Sequence, residues 1–584
     1  MQMKKNLPRS RCFHVFAALV IVYIIALSGV VKPSSGETPD SYRFDRQTVS
    51  NEKVLAAEPE KARDERGSST LWRSSIWESL PTETLNGPEP TPACEAYQQN
   101  DWKPIFIDSQ FKLNQGGELL LARLHTLEDE AVDPRPFELD ELFQSLEKLD
   151  RSRSALKAAA PDLRDSRAES LSNSDDLMKK YEETFRAASE ADIRLTSAFF
   201  LFAREMDPFL QKEEYQKVVS GEVPISKFLK DLEPQTFNYD ALIPAYQRYK
   251  KLAAQGTQQH VTMPSKVHIG ESGNHIRDLQ KRLQQEGFYS SNITGVYDNV
   301  TQCGVKEFQA AHLLDPDGSV GRQTQEWLNV SFKDKADLIA HALEAIRQSP
   351  SRAHNRFIRI NIPQFTLEYY KDGQLQEAHR VVVGKASGKR VKFRGKMVGE
   401  NQTPTLNSEI QRVILNPRWY VSDRIRLELE VESKSDPEWF AKHGYVSMNS
   451  RYPSGTPRLF QSPGPKNALG RVKFEFPNPY AVYLHDTPLK QLFSRTRRDF
   501  SHGCIRVDKA IELAERLLRD DHNPNAEKMN TIVTGSGSNQ VFVNLSHPIP
   551  IFIEYIPVVT KGSAQVVFAG DPYEILREND GQKG

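Results

Sequence analysis

Apolar and polar positions divide the chain into stretches of different period. Residues 12–31, CFHVFAALVIVYIIALSGVV, are almost unbroken apolar and follow Lys4, Lys5, Arg9 and Arg11. Twenty such residues at about 1.5 Å each could cross a hydrocarbon layer of about 30 Å, with the basic flank held on the cytoplasmic side. The pattern predicts a signal anchor that leaves the rest of the chain in the periplasm, and the small residues at Ala26 to Ser28 keep a cleaved signal peptide open. Residues 32–100 are rich in Glu, Pro, Ser and Thr and predict a flexible linker. From 101 to 260, stretches such as GELLLARLHTL and ADIRLTSAFFLFAREM repeat apolar residues at spacings of three and four. That period predicts a helical scaffold.

Residues 265–330 read as a compact unit of three short helices. Ile276, Leu279 and Leu283 line one helical face, Val305 and Phe308 a second, and Gly287, Gly295 and Gly318 punctuate the turns. DPDGSVGRQTQE within it places acidic residues where a calcium loop wants them, but its sixth position is Val320, where such a loop needs glycine. An ordinary Asp-Gly turn is expected instead. A connecting helix fills 331–354. From 355 to 575 the period changes to two: RFIRINIPQFTLEYYKDGQLQEAHRVVVG alternates and breaks at Lys371 to Gly373, as two strands joined by a hairpin do. A polar insertion at about 419–470 is placed to cap this β-rich domain. The fold class is therefore multidomain α+β.

Lysine plus arginine and aspartate plus glutamate each total 77, so the chain has no net field of the kind that neutralises nucleic-acid phosphates. Of four cysteines, Cys12 lies in the apolar run, which leaves Cys94, Cys303 and Cys504 in an oxidising compartment. An odd count leaves one thiol free, and a Cys94–Cys303 bridge stays open.

RDFSHGCIRVDKA, 498–510, holds the candidate chemistry. A nucleophilic thiol needs a base or cation beside it. His485, at the end of YAVYLHDTP, can approach Cys504 from another strand and serve as that base. Gly503 lets the backbone turn its N–H groups toward a developing oxyanion, with Ser501 and His502 shaping the turn. Arg506 could hold a carboxylate. Zinc held by His485, His502 and Cys504 lacks an evident fourth ligand, so no metal or other cofactor is expected. Trp419, Tyr420 and Tyr483 read first as core aromatics, with a lid or substrate-facing role as the alternative, and Tyr483, two before His485, shares its strand face.

The pair YLHDTP and SHGCIRV resembles the signature of the L,D-transpeptidases (the YkuD type). The unit at 265–330 resembles the type 1 peptidoglycan-binding module through Leu279, Gln280, Leu283, Phe308 and Gln309. The layout of anchor, scaffold, module and inserted catalytic domain resembles the large Gram-negative members. The resemblance implies that Cys504 attacks the carbonyl of the third residue of a tetrapeptide stem, releases D-alanine and passes the acyl group to the amine of a second stem, giving a 3→3 cross-link. It makes His485 the general base and Arg506 and Asp486 substrate-side residues, with the backbone carbonyl or the carboxylate of Asp486 orienting the imidazole. Its partners would be peptidoglycan stem peptides and the inner membrane. A hydrolase using the same acyl-enzyme, or a wall-binding anchor without catalysis, remain alternatives.

Overall fold

The computed structural model describes residues 92–575 except 160–173, 236, 265–266, 394–395, 453–454, 456, 536–538 and 562–564, together with six positions between 72 and 80. The expected anchor at 12–31 lies outside the described residues, and so does most of the expected linker. Among the described residues no helix is long and apolar enough to cross a membrane. The chain forms two compact units, divided after Glu233, with 129–131 counted in the second.

The first unit is helical, as its period predicts: α1 (Pro92–Gln99), α2 (Gln115–His125), α3 (Leu139–Ala159), α4 (Ser174–Met206), α5 (Lys212–Val219) and α6 (Ile225–Asp231). Asn114 starts α2 by accepting the Gly117 N–H on its side chain, which satisfies one of the orphan donors of the first turn. Apolar residues on α4, among them Leu195, Phe199 and Phe202, are fully buried. Asp192 on α4 is buried too, and it is fully used: it accepts the N–H groups of Ile105, Phe106 and Ile107 and the Tyr97 hydroxyl. Four donors on one carboxylate pin the irregular segment before α2 onto the long helix.

The second unit opens with α7 (Tyr239–Ala254). The scaffold expected to run to 260 therefore ends earlier, because Tyr239, Leu242 and Tyr249 of α7 bury against Phe332, Ile339 and Leu343 of α11 (Phe332–Arg347). The unit at 265–330 has the three expected helices, α8 (Asn274–Glu286), α9 (Asn299–Ala311) and α10 (Arg322–Asn329). Gln280 binds Thr294, Val296 and Thr301 through its amide N and accepts the Gly295 N–H. Gln309 repeats this with Asp317, Ser319, Thr324 and the Gly318 N–H. Each glutamine closes a turn whose glycine has positive φ, +74° at Gly295 and +80° at Gly318. Both side chains are spent on the fold.

The β-rich part comprises β1 (Arg356–Asn361), β2 (Thr366–Lys371), β3 (Gln374–Gly384), β4 (Arg390–Phe393), β5 (Lys396–Gly399), β6 (Leu406–Leu415), β7 (Trp419–Tyr420), β8 (Tyr445–Arg451), β9 (Pro457–Gln461), β10 (Val472–Glu475), β11 (Leu484–His485), β12 (Asp499–Ser501), β13 (Ile505–Val507), β14 (Val541–Glu554), β15 (Val558–Lys561) and β16 (Gln565–Phe568). The β2–β3 hairpin turns through Asp372 and Gly373, both at positive φ, as a two-residue turn matched to strand twist requires. The main sheet runs β12-β3-β13-β11-β10-β6-β14-β1-β2, and β2 pairs back onto β3. The ladder from β3 round to β2 thus closes on itself, and β12 adds to β3 as the one terminal strand of that sheet among the described residues. Ile358, Leu367, Val383, Val413, Phe474, Leu484 and Ile505 fill the interior, and α14 (Ala510–Asp520) packs Leu513, Leu517 and Leu518 into the same core. Each such side chain contributes about 1.5–3 kcal/mol relative to exposure. The insertion folds as α12 (Asp423–Glu432), α13 (Trp439–Lys442) and the small sheet β7-β9-β8.

Cys94 is buried in the first unit's apolar core and Cys303 is exposed on α9, and no disulfide joins the two. The bridge left open by the sequence is not formed. At the Asp-Gly turn, and elsewhere among the described residues, no group of three or more His, Cys, Asp and Glu side chains is arranged to hold a metal ion.

Candidate active site

Parallel strands β11 and β13 pair Leu484 with Ile505 and His485 with Arg506. Leu484 and Ile505 are fully buried in the core. Because side chains alternate, Tyr483, His485, Cys504 and Arg506 share the opposite face. The two residues singled out from sequence therefore meet on one face of adjacent strands, one register step apart.

The state of each group follows from its surroundings. His485 is 5% exposed, and burial, aided by the nearby Arg506 cation, lowers its pKa to about 3 against the pull of the Asp486 carbonyl. The imidazole is thus neutral at physiological pH. Its Nδ1 contacts the Asp486 backbone oxygen at 2.5 Å, so Nδ1 carries the proton and Nε2 is the basic nitrogen. The carbonyl, rather than the carboxylate, orients the ring. The Asp486 carboxylate instead accepts the Arg471 N–H at 2.8 Å and pairs with Lys490 at 2.5 Å, which gives it a task in holding the loop.

The half-buried Cys504 thiol is raised above its ordinary pKa by burial, while hydrogen bonds from the Tyr483 backbone and phenol, and the Lys473 and Arg506 cations, pull the other way. Tyr483 in turn receives a hydrogen bond from the Trp419 indole, and Lys473 sits 4.3 Å from its ring centroid. A resting thiol beside a neutral imidazole results. Such a pair is suited to deprotonation as attack begins.

The turn before Cys504 is tightly built. Gly503 has φ +113°, a conformation open to glycine. Its N–H donates to Ser501 Oγ at 3.2 Å, its carbonyl accepts from Thr403 at 2.8 Å, and the Ser501 hydroxyl donates to the Cys504 carbonyl at 2.6 Å. Gly503's own N–H is thus engaged within the turn. Thr403 is itself held by the Gly384 N–H and by Tyr573. His502 does not join Cys504: its Nε2 lies 2.9 Å from Glu428 on α12, so it ties the capping insertion to the turn. Arg424 on the same helix bonds Asn401.

Arg506 lies on the reactive face as expected, and its guanidinium is destabilised by burial. Sequence reasoning missed Tyr483 and Trp419, which it assigned to the core, and Lys473, Thr403 and Tyr573, which it did not single out. For Tyr483 the signal was present in its position two before His485. Tyr420, also assigned to the core, is 59% exposed.

Residues 355–543 match the model of the YkuD family, described as the L,D-transpeptidase catalytic domain, and residues 272–328 match that of the "Putative peptidoglycan binding domain". The chain is 31% identical over 217 residues to a protein of Haemophilus influenzae named "Putative L,D-transpeptidase", covering 34% of this chain and 40% of that one. It is 28% identical over 95 residues to the spore cortex-lytic enzyme of Halalkalibacterium halodurans, covering 16% and 29%. The matches thus span less than half the length of these relatives. Similar solved structures include an L,D-transpeptidase from Xylanimonas cellulosilytica (18% identity, 50% of this chain, 98% of that one, TM-score 0.17). Another is from Mycobacterium smegmatis (15%, 34%, 58%, TM-score 0.17). The chain therefore carries a YkuD-type L,D-transpeptidase catalytic domain preceded by a peptidoglycan-binding module of the type 1 family.

Proposed function

We propose that the protein forms 3→3 cross-links in peptidoglycan through a thioester on Cys504. The observation that carries this reading is the strand pairing that sets a neutral, carbonyl-oriented His485 and Cys504 on one face. His485 Nε2 removes the thiol proton as sulfur attacks the carbonyl of the third residue of a tetrapeptide stem. The same imidazolium then protonates the departing amine, so D-alanine leaves and the S-acyl bond remains. In the second half the amine of another stem attacks the thioester, His485 takes its proton, and the thiol is restored. The amide broken equals the amide formed, so no ATP is required.

Tyr483's donors to the sulfur favour its anionic form as charge develops. Arg506 and Lys473 supply positive charge on the same face for a stem carboxylate. Residues 12–31 would hold the enzyme at the inner membrane with this site in the periplasm.

The test is mass spectrometry of muropeptides after incubating tetrapeptide-rich sacculi with wild type and Cys504→Ala. Wild type should yield 3→3 dimers and free D-alanine, with a thioester adduct trapped on Cys504. Tripeptides without dimers would make water the acceptor, and products from Cys504→Ala would remove the cysteine from the chemistry.

A further inference from the structure

Between the module and the closed sheet lies a cavity of 1360 Å³ that does not include Cys504. Its walls come from α10 and α11 on one side and from segments 494–500 and 569–574 on the other. Sites that enclose one drug-sized ligand measure about 300–1,000 Å³, so this space fits an oligomer better than a single small molecule.

The lining points to the class of oligomer. The half-buried Trp327 and Phe500 present aromatic surface, while Arg495, Asp334 and Glu574 are exposed charged groups of both signs around the same space. Arg495 also stands 5.2 Å from the Phe500 ring centroid. A polyanion would call for one dominant positive sign, and an apolar chain would strand the charged groups. A chain of sugars suits both features: its C–H faces lie on aromatic rings, and its hydroxyls bond carboxylates and guanidinium.

Two further facts join this cleft to the chemistry. Its walls are fixed against each other, by a hydrogen bond from Thr496 to Asp315 across the gap and by His312 stacked on Phe568 at 5.2 Å. A preset cleft binds without an ordering cost. Strand β12 is also shared: Phe500 faces the cleft, and its neighbour Ser501 is buried toward the turn, with its hydroxyl on the Cys504 carbonyl.

We propose that this cleft is a saccharide subsite that holds a glycan strand while an attached stem peptide reaches Cys504. The proposal rests on the transpeptidase reading above and adds to it that substrate is gripped jointly by module and catalytic domain. The test compares the full chain with the triple variant Arg495→Ala, Asp334→Asn, Glu574→Gln, whose side chains lie outside the reactive face. Calorimetry with peptide-free glycan chains should show binding by wild type and at least tenfold weaker binding by the variant. KM for intact sacculi should rise about tenfold, with kcat and the turnover of a sugar-free tetrapeptide unchanged. Equal glycan affinity in both proteins would overturn the proposal, as would a parallel loss of activity on the sugar-free peptide. A wild type that binds glycan but releases no D-alanine from either substrate would defeat the transpeptidase reading and leave the saccharide site standing.

Discussion

His312 in the module and His485 on β11 are the same chemical object placed in two settings. Burial lowers each to a pKa of about 3, and each gives its Nδ1 proton to a backbone carbonyl, Phe308 at 2.7 Å and Asp486 at 2.5 Å. They differ at Nε2. In His312 it accepts from Lys335 Nζ at 3.1 Å, inside a sealed network in which Lys335 and Arg282 also pair with Glu286. His485 Nε2 has no such partner among the described residues, and it lies on the face that carries Cys504. A perturbed histidine therefore marks burial; whether it acts depends on what its second nitrogen is left to do.

The largest expected effect separates the two rings. His485→Ala should lower kcat/KM by about 10²–10⁴-fold, the usual worth of a positioned base, with little change in melting temperature. His312→Phe should do the reverse, leaving turnover per folded molecule intact and destabilising the chain by about 1–3 kcal/mol through an unmet lysine donor. The pH profile sharpens the contrast. Each unfolded histidine takes up a proton near pH 6.5 and each folded one resists until about 3. The stabilisation is thus fully present above the unfolded value and is lost as pH falls between these values. Denaturant melts across that window should show the loss, and the acid limb of kcat/KM should lie well below pH 6. A limb near 6.5 would mean that burial does not hold His485 below the ordinary histidine value.

Next in size is the network itself. Arg282, Glu286 and Lys335 have fully buried side chains, so Lys335→Met removes a cation that a buried carboxylate needs and should cost about 3–5 kcal/mol. Calorimetric melting reads this directly; a loss under 1 kcal/mol would show that Arg282 alone neutralises Glu286. Smaller still is Gln280→Leu, which strands the Gly295 N–H and the partners of the amide and should cost about 1–3 kcal/mol.

These residues also show what the sequence made legible. Period alone located the helices of both units, the hairpin at Asp372–Gly373 and the three-helix module, because each buries a local apolar stripe. His485 and Cys504 were legible through their motif, and strand register then placed them together. The end of the scaffold was not, since α7 belongs with α11 only through contacts to Phe332 and Ile339 that helical spacing cannot express. His502 was read as part of the reactive turn, yet Glu428, 74 residues away, draws it into the hold on the insertion. Thr403 and Tyr573 escaped notice for a related reason: they meet at Gly384 from distant segments.

Tyr483 is the smallest and most diagnostic change. Its phenol donates to the Cys504 sulfur and accepts from Trp419, so Tyr483→Phe removes one donor while its backbone N–H remains. One hydrogen bond of this kind is worth about 1 kcal/mol, roughly a fivefold fall in kcat/KM. The role is positioning and electrostatic, so a merely structural tyrosine would predict no further change. The thiol should in addition titrate higher in Tyr483→Phe, because the donor stabilises the thiolate and its loss favours the protonated form. Rates of iodoacetamide alkylation against pH, followed on Cys504 by peptide mass spectrometry, give that titration. An unchanged thiol titration with reduced turnover would assign Tyr483 to substrate contact instead, and Trp419→Phe, acting on sulfur only through the phenol, should then have no effect on the thiol either.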